Sequence, residues 1–295
     1  MMMLTALLTS VMMLASTACA GLTTGTPQRD DFRERDEINE TYQLAPGTRV
    51  EVSSIRGPVE IVNADTATAE VQIIRTARTR ADLEYHKIEV VHSGNSLVVR
   101  GVQEPEGRRR DNIRVNHHVI LKLPRRIDLS VNSVSGSIKV GDVDGETSVN
   151  SISGNASIGN VGGKLQASSI SGSLEVGNVG EEARVNSISG KVRLGTVNGY
   201  INVSSVSGSL NAVLVSLSPQ GIRINSVSGS VEIAFNSDVN ADFRSESVSG
   251  EVYLDVPNVI RDTEEKSSNV RARIGAGGTP ITISSVSGNI RLRRS

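Results

Sequence analysis

The sequence has 295 residues but contains no tryptophan, only three phenylalanines and only four tyrosines. Large protein interiors usually depend on such residues for bulk. Their scarcity argues against a thick globular core, although the chain is long enough for one large or two ordinary domains. It favours an architecture whose interior is narrow and is filled by stacked aliphatic side chains.

Residues that carry metal or redox chemistry are also few. Cys19 is the single cysteine, so the chain can form no internal disulfide. The sequence has four histidines, of which His117 and His118 are adjacent in a predicted strand. Neighbouring side chains of a strand point to opposite faces, so this pair cannot bind one metal ion together. We therefore expect no metal site and no cofactor.

Charged residues form no catalytic or nucleic-acid-binding pattern. Polysaccharide-cleaving enzymes need paired carboxylates as acid and base, but the candidates Asp142, Asp144 and Glu146 have no counterpart in the following repeat. The net charge is −1, and the run from Arg108 to Arg110 is typical of a solvated loop. With so few aromatic residues to stack on bases, nucleic acid binding is not expected either. We predict that the protein is not an enzyme.

What the sequence does contain is one short phrase in eight copies. Its first copy, VNSVSG, begins at Val131, and all copies share Ser, then Val or Ile, then Ser and Gly. The interval between the closing glycines is constant over the first five copies, slightly longer for the next two, and longest before the last. These glycines are Gly136, Gly154, Gly172, Gly190, Gly208, Gly229, Gly250 and Gly288. So short a period indicates stacked structural repeats.

Apolar residues recur two and four positions after each glycine, with a mostly polar residue between them. The first of these two columns is Ile138, Ala156, Leu174, Val192, Leu210, Val231, Val252 and Ile290. The second is Val140, Ile158, Val176, Leu194, Ala212, Ile233, Leu254 and Leu292. Such alternation indicates strands with one buried face. The sequence thus predicts an all-β fold, a parallel β-solenoid with coils of 18 to 21 residues, wound right-handed like most parallel crossovers.

The Val or Ile in the middle of the phrase is expected to form a further core column. This column is Val134, Ile152, Ile170, Ile188, Val206, Val227, Val248 and Val286. Val131 lies three residues before Val134, and a spacing of three breaks the alternation of a strand. We therefore expect a corner between these two positions, and we expect Ile170→Asp to unfold several coils.

The serines on either side of this apolar residue form two columns of hydroxyl groups. The candidate strip is Ser133, Ser135, Ser151, Ser153, Ser169, Ser171, Ser187, Ser189, Ser205 and Ser207. If these serines face outward, they could dock a repetitive surface such as a glycan. If they face inward, they are small corner residues bonded to the backbone.

The beginning of the chain resembles an export signal. Residues 1–20 contain an apolar stretch from Leu4 to Ala15 followed by small residues. Cys19 falls where a lipoprotein signal places its acylated cysteine, which predicts a lipid anchor in the membrane. The alternative is cleavage after Ala20, which releases a soluble periplasmic or secreted protein.

The rest of the chain divides into three segments. Residues 21–37 read as a polar tether, and residues 38–129 as an N-terminal β segment that caps or starts the solenoid. Residues 130–295 hold the repeats, with an insertion at 257–280.

The arrangement from Asp36 to Ser295 resembles a bacterial family of repeat proteins called putative adhesins, a domain of unknown function. The likeness rests on ETYQLAPGTRVEVSSIRGPVEI, LPRRIDLSVNSVSG, the repeats, and RIGAGGTPITISSVSGNIRL. This chain has Ser-Val-Ser-Gly where relatives often have Val-Asn-Gly, so no ligand carries over. The resemblance implies an exported β-solenoid of the cell envelope, often linked to lipid, with no established activity.

Three functions remain open from the sequence. The first is an adhesin or binding scaffold whose ligand is a glycan or an envelope protein. The second is a self-assembling structural protein like the bactofilins. The third is a polysaccharide-acting enzyme, for which no carboxylate column is found.

Overall fold

The computed structural model describes residues 32–103, 115–261 and 269–295. The expected signal segment, Cys19 and the run from Arg108 to Arg110 lie outside these ranges, as does most of the expected tether. The described residues form 25 β-strands and one short helix. In the described ranges, no helix is long and apolar enough to cross a membrane.

The strands belong to two sheets that run side by side along the molecule. The 12-stranded sheet contains β1 (Glu34–Gln43), β3 (Val59–Ala64), β4 (Thr68–Ala77), β7 (Val115–Pro124), β9 (Ile138–Val140), β11 (Ala156–Ile158), β13 (Leu174–Val176), β15 (Val192–Val197), β17 (Leu210–Leu214), β19 (Val231–Phe235), β21 (Val252–Asp255) and β25 (Ile290–Arg294). The 13-stranded sheet contains β2 (Thr48–Arg56), β5 (His86–Ser93), β6 (Ser96–Gln103), β8 (Ile127–Ser135), β10 (Thr147–Ser153), β12 (Leu165–Ser171), β14 (Ala183–Ser189), β16 (Ile201–Ser207), β18 (Ile222–Ser228), β20 (Ala241–Ser249), β22 (Val259–Arg261), β23 (Asn269–Ile274) and β24 (Thr279–Ser287). The helix is α1 (Arg80–Tyr85).

Repeats stack as parallel coils in register. Val149 of β10 lies beside Val131 on one side and Ala167 on the other, so each residue pairs with its equivalent in the preceding and the following repeat. Where the repeat becomes longer, the register is kept, because Val203 still pairs with its equivalent Ile224. The prediction of an all-β parallel β-solenoid is confirmed.

The core lies between the two sheets. Both aliphatic columns that follow the glycine point into it, and every member except Leu254 is buried. A third wall consists of Val143, Val161, Val179 and Val197, whose bridges join successive turns. Narrow columns of this kind need little aromatic bulk, which explains the composition.

One column of aliphatic residues that we expected in the core lies on the surface. The Val or Ile in the middle of each phrase is exposed, from 40% at Val134 to 80% at Val248. Alternation continues through the phrase without a corner: Val131 and Ser133 point inward, whereas Asn132 and Val134 point outward. The predicted burial of this column is therefore wrong, and so is the unfolding expected for Ile170→Asp.

The corner of each coil falls at the closing glycine instead. Gly172 has φ of +126°, a conformation that side chains rarely adopt. A Cβ atom there would lie 2.2 Å from the carbonyl oxygen of Gly154 in the coil below. Conformation and close stacking both require glycine at this corner.

The order of coils in space differs from their order in sequence at both ends. The last coil, β24 and β25, is inserted between β18 and β19 on one side and β20 and β21 on the other. At the N-terminal end, the coil of β2 and β3 is likewise enclosed between β6 and β7 on the outside and β8 and β9 on the inside. Antiparallel strands β1, β4 and β5 complete that end.

Candidate binding groove

Two columns of side chains project outward from the 13-stranded sheet and form the walls of a groove. The polar wall is Asn132, Asn150, Ser168, Asn186, Ser204, Asn225 and Ser284. The apolar wall is Val134, Ile152, Ile170, Ile188, Val206, Val227 and Val286. The groove has a volume of about 820 Å³ and runs across the strands. We call it the ladder groove.

The apolar wall is continuous and is half-exposed. Its seven members are between 40% and 50% exposed. Coils rise about 4.8 Å each, so this row of seven aliphatic side chains extends over about 29 Å. Contiguous apolar surface flanked by polar residues often marks a site of interaction.

The ladder groove carries no charge over this length. All the described residues that line it are Ser, Asn, Val or Ile, although charged residues make up 21% of the sequence. The groove is therefore suited to an uncharged and extended part of a ligand.

The floor of the groove is formed by the first serine of each phrase. Ser133, Ser151, Ser169 and Ser187 are each only 3% exposed. The hydroxyl of Ser151 donates to the carbonyl oxygen of Gly154 at 3.4 Å, which ties the strand to its own corner. The hydroxyls of Ser133 and Ser169 likewise donate to backbone carbonyl oxygens, whereas the hydroxyl of Ser187 has no hydrogen-bond partner among the described residues. Their burial removes all four from direct contact with a ligand.

The structure thus divides the candidate serine strip into two parts. Four serines are buried, as given above, and Ser135 and Ser205 are partly buried. The exposed members are Ser153, Ser171, Ser189 and Ser207. Only these four exposed serines, each of which directly follows a residue of the apolar wall, are fully available for contact. Its role in binding stays a prediction.

The groove ends differently at its two ends. In the first coil, Ser54 has φ of 58°, and the following Ile55 is fully buried, so the apolar wall begins only at Val134. At the other end Ser284 and Ser285 line both the ladder groove and an adjacent pocket of about 420 Å³. That pocket contains Arg244, Glu246, Arg271 and the 80% exposed Val248.

Charges at this terminal pocket are close together. Arg244 donates to Glu246 from Nε at 3.0 Å and from Nη2 at 2.6 Å. Arg244 also lies directly opposite Arg271 in the antiparallel pair of β20 and β23. Two arginines and one glutamate are the charged residues among the described lining of this pocket.

The other sequence candidates do not converge on a reactive site. Asp142 and Asp144 both face Arg125, at 3.4 and 3.5 Å, and Glu146 faces Lys164 at 3.5 Å. Within the described ranges, no group of three or more His, Cys, Asp or Glu side chains could hold a metal ion.

The adjacent histidines occupy opposite faces of β7, as their spacing predicts. His117 is 3% exposed, and neither ring nitrogen has a hydrogen-bond partner among the described residues. Burial lowers the pKa of His117 to about 4, with further contributions from His86, Arg75 and Arg56. Burial also lowers the pKa of His86. This cluster lies in the N-terminal part of the fold, outside the ladder groove.

Sequence reasoning missed the apolar wall of the groove, although a signal was present. Side chains of a strand alternate between its faces, so if Val131 and Ser133 point inward, Asn132 and Val134 point outward. The apolar character of the column and this parity indicate opposite faces, and the structure follows the parity.

Several solved structures are similar to this chain at low sequence identity. A putative adhesin from Bacteroides fragilis is 13% identical over 87% of this chain and 97% of its own, with a TM-score of 0.48. Two proteins from Parabacteroides distasonis cover 87% of this chain. One is called a putative adhesin; it is 12% identical, 97% of its own length is covered, and the TM-score is 0.40. The other is called a putative lipid binding protein; it is 14% identical, 96% of its own length is covered, and the TM-score is 0.41. Likenesses at this level carry no inference about a ligand.

A comparison with curated protein sequences gives no match. The family model described as Toastrack DUF4097 matches residues 48–293, which include every copy of the repeated phrase. Because this match covers far more than half of the chain, the protein belongs to the Toastrack DUF4097 family.

Proposed function

We propose that this protein is a non-enzymatic, adhesin-like binding scaffold of the bacterial cell envelope and that the ladder groove is its contact surface. The observation that carries the proposal is the uncharged row of seven half-exposed Val and Ile side chains. The solenoid holds this row at a fixed spacing, because each of these side chains stands on a strand paired with both neighbours.

The energetics of the groove favour a binding role. Completing the burial of a half-exposed Val or Ile contributes roughly 1 kcal/mol, so the seven side chains together offer about 7 kcal/mol. Association costs an estimated 4–15 kcal/mol because the two molecules lose translational and rotational freedom, so additional polar contacts are needed for tight binding. The Asn and Ser residues of the opposite wall provide donors and acceptors for such contacts.

Export and anchoring belong to the same proposal. The apolar segment and Cys19 support an exported lipoprotein held at the membrane, with soluble periplasmic or secreted protein as the alternative. The proposed ligand belongs to the envelope, with glycans and envelope proteins as candidate partners, and the uncharged groove, lined by no aromatic residue among those described, argues against nucleic acid. The proposal of no catalytic activity rests on the ion pairing of Asp142, Asp144 and Glu146 with nearby basic side chains.

End-to-end self-assembly is the weaker alternative. Stacking of coils between molecules needs a free parallel edge at both ends. At the N-terminal end both sheets finish in antiparallel strands, β1 and β5. These strands cover the edge that a second molecule would extend.

Binding of the purified protein to the envelope fraction of the producing cells tests the proposed function. We expect the triple variant Ile152→Ser, Ile170→Ser and Ile188→Ser to lose most of this binding while it keeps its folded structure. The matched control is Val62→Ser, Val91→Ser and Val215→Ser, since these side chains are 46%, 46% and 42% exposed and lie outside the groove. Equal binding by the two triple variants would contradict the proposal.

A further inference from the structure

The last coil of the solenoid is an insert that two earlier coils enclose. Strand β24 pairs with β18 on one side and with β20 on the other, and β25 pairs with β19 and β21 in the same way. Both enclosing coils precede β24 in the chain. We call the space between them, which β24 and β25 occupy, the insertion slot.

The side chains of the last coil match both walls of the insertion slot. Its buried core side chains are Ile281, Ile283, Ile290 and Leu292. Towards β19, the Nε of Arg293 donates to Oε1 of Glu232 at 2.5 Å. Towards β21, the Nε of Arg291 lies 3.3 Å from Oδ2 of Asp255. The slot is therefore complementary to a coil that has this particular pattern of aliphatic and basic residues.

A glycine-rich loop, residues 275–278, leads into this coil and passes over the end of β20. The residues that flank the loop, Ile274 and Thr279, lie on opposite sides of Ala241, the first residue of β20. Because β23 is antiparallel and β24 is parallel to β20, the loop reverses the direction of the chain. An extended loop would instead carry β24 and β25 away from their own β20.

The reversal is held by two hydrogen bonds and by glycine conformations. The backbone N–H of Ala276 donates to Oδ1 of Asn240 at 2.8 Å, and that of Gly278 donates to Oδ2 of Asp242 at 3.0 Å. Gly278 has φ of +115°, a conformation that residues with side chains rarely adopt. The closed loop thus depends on a few local features that a single substitution alters.

We propose that the insertion slot binds the last coil of a second copy of this chain, so that two copies exchange β24 and β25 and form a dimer. The second copy presents the identical segment, so every contact of the slot is reproduced between the chains and only the loop at 275–278 changes. Unlike end-to-end stacking, this exchange needs no free sheet edge at the ends of the solenoid. It is independent of the proposed function, because it does not involve the ladder groove's ligand.

The order of the segments along the chain favours the exchange. Until the last coil is in place, β18 and β19 on one side and β20 and β21 on the other present unpaired strand edges. A second copy then competes with the chain's own segment, a process to which repeat proteins are prone. The covalent connection favours the chain's own segment, whereas a high protein concentration and an opened loop favour the second copy.

Sedimentation velocity of the full chain, refolded from urea at a series of protein concentrations, tests the inference. We expect a dimer whose fraction rises with concentration. Gly278→Ala strains the closed loop through its positive φ without a clash, since no atom lies within 4 Å of the added Cβ. The variant should raise the dimerisation constant about tenfold, because the strain disappears when the loop opens.

The matched control for the loop is Gly47→Ala. Gly47 has φ of +79°, and again no atom lies within 4 Å of an added Cβ. It lies in the turn before β2, away from the insertion slot. We expect this variant to be strained in the same way and to leave the dimerisation constant unchanged.

Cysteine pairs identify the exchanged segment. All chains carry Cys19→Ala, one chain carries Asn225→Cys, and the other carries Ser284→Cys at the paired position of β24. Neighbouring strands are about 4.8 Å apart, within the range of about 4.4–6.8 Å that a disulfide spans. When the two chains are refolded together, we expect a disulfide between them. In the control, Asn186→Cys replaces Asn225→Cys, since Asn186 is the exposed equivalent in β14, outside the slot.

Three outcomes would overturn the inference. The first is a full chain that stays monomeric after refolding at every concentration. The second is an equal effect of Gly278→Ala and Gly47→Ala on the dimer fraction. The third is an equal disulfide yield with Asn225→Cys and Asn186→Cys, because the dimer then forms through another surface. These measurements use no ligand, so their failure leaves the proposed function as it stands, and a failure of envelope binding leaves the exchange as it stands.

Discussion

At the scale of single residues, the repeated phrase places neighbouring side chains in opposite environments. Ser169 is 3% exposed, whereas the adjacent Ile170 is 47% exposed. The hydrophobic residue is outside and the hydroxyl is inside, which reverses the usual preference. Ser169 is small and bonds to the corner, at 3.5 Å from the carbonyl oxygen of Gly172, whereas Ile170 stands half-exposed on the outer face of the sheet.

This reversal predicts unequal costs for two similar truncations. Leu174→Ala removes a side chain that is 1% exposed and should lower the free energy of unfolding by about 2–5 kcal/mol. Ile170→Ala removes a half-exposed side chain and should cost less than about 1 kcal/mol. Urea unfolding of both variants measures the difference. Equal costs would mean that the side chain of Ile170 is as deeply buried as that of Leu174, which would contradict the outward orientation of Ile170.

His117 predicts a dependence of stability on pH. Its pKa is about 4 in the folded protein, against about 6.5 in the unfolded chain. Between these values the unfolded state binds more protons, so stability falls as the pH is lowered from 6.5 towards 4. The full loss from this group is about 3 kcal/mol.

Urea unfolding at several pH values checks this dependence. His117→Leu should flatten the curve between pH 6.5 and 4, apart from the smaller contribution of His86, whose pKa is also lowered. The control is Asn116→Leu, at an exposed position of β7 that carries no titratable group, which should leave the pH dependence as it is. A His117→Leu protein with the original slope would refute the assignment.

At the scale of elements, the ends of the solenoid depend on coils that are inserted out of sequence order. Strand β25 pairs with β19 on one side and with β21 on the other. The last residues of the chain are thus an interior coil of the 12-stranded sheet. Strand β22, by contrast, is an edge strand of the 13-stranded sheet.

This order predicts that a charge near the C-terminus is more harmful than a charge at the edge. Leu292→Asp buries an unpaired carboxylate at a fully buried position and should unfold the coils of β24, β25, β20 and β21. Val259→Asp, at the partly buried edge, should have a small effect. Hydrogen exchange of the four strands distinguishes the two variants. Protection that persists in Leu292→Asp would contradict the order of the coils.

At the scale of the whole molecule, the sequence predicts the architecture better than it predicts the surface. The regular recurrence of the closing glycine from Gly136 onward and the alternation after it are local signals, and the structure confirms the solenoid and two of the three columns. The third column failed because an aliphatic residue does not by itself reveal which face it occupies. Only the parity from Val131 shows that Val134 points outward.

The insertion of the last coil could not be predicted from the sequence. The phrase copies at Gly229, Gly250 and Gly288 have the same pattern, so nothing local shows that the third lies between the other two. Likewise, the charged end of the groove depends on β23, which follows β21 and β22 in the chain and brings Arg271 opposite Arg244. Long-range pairing of this kind leaves no periodic signal.

The central claim is that the outward ladder of Val and Ile is the surface that holds the ligand. Photo-crosslinking in intact producing cells tests it most directly, with a benzophenone amino acid placed at position 170 or, as a control, at position 166. Both positions face outward from β12, but only Ile170 lines the ladder groove. We expect a specific adduct from position 170 and none from position 166. The same yield from both positions, or an adduct from position 166 alone, would contradict the claim.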